Sequence, residues 1–167
     1  MAGIASIGPC DLTILREGEI TPDVLGYMHN EDDVNFATES ELIEHGAHGI
    51  TGPVEVREGE TTTTITAFLY LDYETMVKLA PHRVTDNGDG TFTVEGAIGK
   101  RVAPVKLHMH PQGNTDATGD FLFYRAFPTV KEQVVATANG KAKIEVSFKV
   151  GQDLTTKKIY DYGVALS

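Results

Sequence analysis

His108 and His110 are the residues whose types and spacing come nearest to chemistry. They form an H-x-H pair inside an alternating apolar and polar stretch. Alternation along a strand sets both imidazoles on one face, roughly 6.5–7 Å apart. Such a pair can hold a metal. The β-barrel metal enzymes that use it add a Glu a few residues later and a His on a distant strand. Here Gly113 and Asn114 stand where the Glu belongs. The pair therefore reads as two polar residues on a solvated or intersubunit strand face. His45 and His48 are three apart, but Gly46 and Gly49 argue against a helix there. Without Cys partners they make a weak zinc signal. Asp86-Asn87-Gly88-Asp89-Gly90 is acidic like a calcium loop, yet no bidentate Glu follows at the required distance. Its Asn-Gly and Asp-Gly pairs read as a hairpin turn. There is no glycine-rich phosphate loop and no G-x-S-x-G elbow. No carboxylate stands out as a poised acid or base. The residues point away from an enzyme and imply no metal and no cofactor.

Charge is the next signal. The chain has 167 residues, with 14 Lys and Arg against 24 Asp and Glu, a formal net charge of −10. Such a chain is a poor nucleic-acid clamp, because phosphate affinity depends on Lys and Arg releasing counterions. It can instead line a channel that DNA crosses without sticking. Residues 29–60 concentrate the acids: Glu31, Asp32, Asp33, Glu39, Glu41, Glu44, Glu55, Glu58 and Glu60 stand against one base, Arg57. This stretch reads as a solvated acidic loop or as an ordered arm that meets a partner. Candidate bases to receive it are Lys141, Lys143, Lys157 and Lys158. The lone Cys10 has no internal disulfide partner and reads as a small apolar residue.

The elements around these residues are mostly strands. Residues 61–71 are β-branched and aromatic, a strand signal. Asp72 is a helix N-cap, with Tyr73, Met76, Val77 and Ala80 at helical spacing until Pro81, so a short helix is expected over 73–80. Val105, Leu107 and Met109 alternate with Lys106, His108 and His110. Phe121, Phe123 and Phe127 fall on alternating positions of another expected strand. Ile144, Val146, Phe148 and Val150 alternate with Lys143, Glu145, Ser147 and Lys149, and Asn139-Gly140 turns this strand back onto 130–138. No run of 18 apolar residues is present, so no membrane span is expected, and the N-terminus lacks the pattern of a signal peptide. The expectation is a single domain over 1–167, all-β with one short helix, an antiparallel β-sandwich or partly closed barrel.

The order of these segments resembles a known family. The strand ending His108-Met109-His110-Pro111 is followed by a polar loop, then Phe121-Leu122-Phe123-Tyr124-Arg125-Ala126-Phe127-Pro128. Next come Asn139-Gly140, the strand Ile144-Glu145-Val146-Ser147-Phe148-Lys149, a loop with Asp153, and a closing Tyr160-Asp161-Tyr162-Gly163. This is similar to the tail tube proteins of long-tailed bacteriophages. The likeness covers most of the chain in order of elements, through motifs of low specificity. It implies a structural virion protein without catalytic residues. Six copies would form a ring whose strands join into a continuous β-barrel. Rings would stack around a tape-measure protein, and DNA would pass through the lumen. Assembly would take place in the host cytoplasm, and the acidic 29–60 stretch would be the loop by which rings touch.

Three other readings stand beside it. A related tail ring protein, such as a tube terminator or baseplate ring, would share the fold without stacking indefinitely. A monomeric β-sandwich binding module would display aromatic platforms, but this chain has no Trp. A metal-dependent β-barrel enzyme would use His108 and His110.

Overall fold

The computed structural model describes residues 3–6, 10–25, 34–96, 98–133 and 142–166. Its strands are β1 (Gly3–Ser6), β2 (Cys10–Arg16), β3 (Asp23–Val24), β4 (Asn35–Gly46), β5 (Pro53–Tyr70), β6 (Val84–Asp86), β7 (Phe92–Val94), β8 (Val105–Pro111), β9 (Phe121–Gln133), β10 (Lys143–Gly151) and β11 (Tyr160–Tyr162). One helix, α1 (Tyr73–Leu79), follows β5. The large sheet runs β1-β4-β5-β10-β9-β8-β2-β3, with β11 on the edge of β9, and β6-β7 form a separate hairpin. Every pairing is antiparallel. The fold is all-β with one short helix, as the patterning implies. Among the described residues the sheet does not close into a barrel.

Alternation places the core. Ile144, Val146 and Phe148 of β10, Ile65, Ala67 and Leu69 of β5, and Leu107 and Met109 of β8 are all buried. They share one cluster with Leu12 and Ile14 of β2 and with Met76 and Leu79 of α1. Each of these side chains larger than alanine contributes about 1.5–3 kcal/mol by leaving water. Cys10 lies in the same cluster.

The helix begins as its sequence dictates. The Asp72 carboxylate accepts hydrogen bonds from the Glu74 and Thr75 amides at 3.2 and 3.3 Å. It ends at Leu79, with Ala80 as its C-cap. The Arg16 guanidinium donates to the Lys78 carbonyl at that end, where a cation is favoured. Replacing Asp72 with Ala is expected to cost about 1 kcal/mol. A urea unfolding curve with an unmoved midpoint would show that the cap contributes nothing.

Two expectations change in the fold. The segments expected at 121–127 and 130–138 are one strand as far as described, β9, and the Asn139-Gly140 turn lies outside the described residues. Pro128 is tolerated within β9 because it lies past Ala126, the last β9 residue that β8 reaches. β9 is therefore an edge at that point, and a missing N–H is harmless there. The alternation of Phe121, Phe123 and Phe127 is also broken. Val105 pairs with Ala126 but Leu107 with Phe123, so β9 carries one extra residue opposite Lys106. This bulge switches the buried set from Phe123 to Ala126, Pro128 and Val130. Phe127 then turns away from the core and lies under the Arg125 guanidinium, 4.8 Å from its ring centroid.

Candidate functional site

The acidic stretch, from Asn35 onward, is built as strands. β4 and the first half of β5 form a two-stranded arm, with the turn between them carrying Gly49 and Gly52 at positive φ. β5 thus begins eight residues before the expected 61. Near the body, Phe36 is buried, and the hydroxyls of Thr38 and Thr63, and of Ser40 and Thr61, bond across the ladder at 3.0 and 3.1 Å. Further out, both strands are exposed.

A bulge sets which residues face which way on this arm. Ser40 pairs with Thr61 and Leu42 with Glu58, so Gly59 and Glu60 together oppose Glu41. A Cβ at Gly59 would meet the Glu41 carbonyl oxygen at 3.1 Å and the Ile43 side chain at 3.3 Å, which favours glycine there. The extra residue keeps Val56 on the face that carries Thr63 and Ile65 nearer the body. Without it, Glu55 and Arg57 would hold that face. The core side of the sheet thus continues outward as Leu42 and Val56, flanked by Glu44 and Glu58. Leu42 is 60% exposed and Val56 48% exposed. Ile43 pairs with Arg57 on the opposite face, and Ile50 stands exposed in the turn.

The candidate acids divide accordingly. Glu39 and Glu41 share the face of Ile43, while Glu44 is on the face of Leu42. Glu31, Asp32 and Asp33 lie outside the described residues. His45 lies in β4 opposite Glu55, and His48 in the turn.

The candidate lysines do not form a single patch. Lys143 opens β10, its ammonium 4.7 Å from the Phe68 ring centroid. Lys157 and Lys158 follow the far end of β10, and nine residues of strand span about 27 Å. Lys158 is paired with Asp161 at 3.0 Å. Lys157 occupies a turn at φ 63. Lys141 lies outside the described residues.

His108 and His110 face away from the core, as alternation requires, but they are not simply solvated. Both grip Asp120, whose side chain is 2% exposed. His108 Nε2 lies 2.8 Å from Asp120 Oδ2, and His110 Nδ1 lies 2.6 Å from Oδ1. His110 Nε2 lies 3.1 Å from the Asn114 carbonyl oxygen. Both partners of His110 are acceptors, so only the doubly protonated imidazolium donates to both. Its pKa is raised, first by the bond to Asp120 and then by that to Asn114. His108 has the one partner, and a single Nε2–H suffices to donate to it. The Asp120 carbonyl accepts from the Gly163 amide at 2.7 Å. The cluster therefore ties together β8, the 112–120 loop, β9 and the C-terminal segment. Among the described residues no group of three or more His, Cys, Asp or Glu side chains is arranged to hold a metal ion.

No protein-family model and no curated protein matches this sequence. Among solved structures, a chain of the six-fold symmetrised cryo-EM structure of the anti-feeding prophage baseplate is similar to it. The likeness covers 86% of this chain and 89% of that one, at 7% identity and a TM-score of 0.44. At those values it assigns neither a fold nor a function.

Sequence reasoning missed Asp120. One signal was present: an acid directly before an aromatic strand, at the end of the loop that follows the H-x-H strand. The hairpin turn at 86–90 uses its acids locally. Asp86 accepts from the Gly88 amide at 2.8 Å and Asp89 from the Thr91 amide at 3.0 Å.

Proposed function

We propose that this chain is a structural subunit of a phage tail, which assembles into six-membered rings that stack into the tube carrying DNA to the host. The observation that carries this reading is the arm of β4 and β5. A two-stranded hairpin alone is at best marginally stable in water. Here its core-side face bears Leu42 and Val56, and among the described residues both stay about half exposed. A neighbouring copy that covers this face would remove both from water.

Other features support the same reading. Among the described residues, β1 and β3 each pair on one side only. Such edges invite pairing with another chain, and joining them between copies would make the continuous barrel of a ring. A net charge of −10 repels a DNA backbone, which suits a lumen that DNA slides through. The segment order supports the tail tube family in particular, with a tape-measure protein and other tail proteins as further partners and the virion as the destination. A tail ring protein that does not stack is the second reading; the same arm and edges would serve a single ring.

Negative-stain electron microscopy of the purified chain, with its solution mass, tests this. Tubes support the first reading, and isolated six-membered rings the second. A chain that stays monomeric up to millimolar concentration, with no rings on the grid, overturns both.

A further inference from the structure

We propose that β11 is a strap whose hold on β9 is controlled by a proton at His110, closed at mildly acidic pH and loosened as the pH rises. β11 is three residues long. It takes the edge of β9 at Phe121–Phe123, where β10, ending opposite Arg125, no longer reaches. Tyr160 and Tyr162 lay its ring contacts on Phe36, Phe121 and Phe123, with centroids 4.9–6.1 Å apart. An element this short opens locally at low cost, so each polar hold on it counts.

Two polar holds fix the strap. At its central residue Asp161 accepts from the Tyr124 hydroxyl and pairs with Lys158, just before the strand. Those bonds keep the Asp161 carboxyl below the ordinary carboxylate range, so it stays ionised at neutral pH. Tyr124 also faces Asp153, which in turn faces Lys106 of β8. At its C-terminal side the Gly163 amide is held by the Asp120 carbonyl. Asp120 is held in turn by the two imidazoles. The charged and titratable groups facing His110 are Asp120 and Asp116 of the loop, Asp11 across the ladder on β2, and His108 on its own strand. The three carboxylates favour its protonated form.

Losing that proton forces His110 to give up its bond to Asn114 or its bond to Asp120. It also leaves the buried Asp120 carboxylate without its nearest counter-charge. The direction follows from linkage. His110 binds its proton more tightly in the folded chain, so its contribution is complete below the ordinary imidazole value of about 6.5. It is lost as the pH rises through the higher folded value. The strap should therefore loosen on the alkaline side.

Amide hydrogen exchange on the full chain, corrected for intrinsic rates, tests the strap from about pH 5.5 to about pH 8.5. Protection of the Gly163, Asp161 and Leu122 amides, which the antiparallel alternation aims across the β11–β9 ladder, is expected to fall about five- to tenfold more over this range than that of core β10 amides. In His110→Gln, which keeps a neutral donor, that extra fall should vanish. Asp161→Asn should weaken protection at every pH without changing the slope. Wild-type protection that tracks β10 across the range overturns the proposal with no variant needed. An unchanged alkaline fall in His110→Gln overturns it as well.

Discussion

Replacing Asp120 with Ala is expected to lower the folding free energy by about 3 kcal/mol. The carboxylate is 2% exposed and satisfies two imidazoles at once. Its removal leaves the His110 cation without the acceptor that stabilises it and opens a small void beneath the loop. His110 should then surrender its proton at lower pH than in the parent chain. Urea unfolding near pH 6 measures the first effect, and the NMR titration of the His110 ring the second. Asp120→Asn should cost less, since its carbonyl still accepts from one ring while its amide can donate to the other in its neutral form. A loss below about 0.5 kcal/mol for the Ala variant, within the range of ordinary surface substitutions, would show that water replaces the carboxylate freely.

The second large effect concerns assembly and rests on the proposed function. Leu42→Asp with Val56→Asp is expected to reduce rings or tubes to single chains. Each of the two residues, once covered by a neighbour, contributes up to about 1.5–3 kcal/mol. Every copy in a ring would lose the same contact, and two added charges would oppose reburial. Both residues are about half exposed in the single chain, so the unfolding midpoint should hardly move. Solution mass and unfolding, measured on one preparation, separate the two effects. Assemblies of unchanged size would sink the assignment of this face. Ile43→Asp, on the opposite face beside Arg57, is the matched control. If the core-side face is the one covered, it should leave assembly largely intact.

The candidate site was legible only in part. The acids of the arm were plain in composition, and their concentration marked the stretch as special. Their division between two faces was not plain. It depends on strand alternation beginning at Asn35, and on a bulge at Gly59-Glu60 that only the pairing of β4 with β5 reveals. The lysines looked like one patch because charge was counted along the chain. β10 carries Lys143 and Lys157 to opposite ends, and Asp161 already occupies Lys158. His108 and His110 were placed correctly on the outer face of β8. Their partner was invisible because Asp120 comes to them through a loop that folds back, and loop closure leaves no periodic mark in sequence.

Patterns of period two, the turn residues and one N-cap were enough to determine that this chain is antiparallel β with a short helix after Asp72. They determined the inward sets of β8 and β10 and the acidic character of the arm. Those properties are local: each follows from the alternation of side chains along a strand or from a carboxylate beside free amides. Only the tertiary structure decided which strands are neighbours, where one extra residue reverses the facing of β9 and β5, and that a single buried carboxylate joins two histidines to the C-terminal strand. Pairing, bulges and buried polar partners depend on segments far apart in the chain, and a one-residue shift in register exchanges the two faces of a strand.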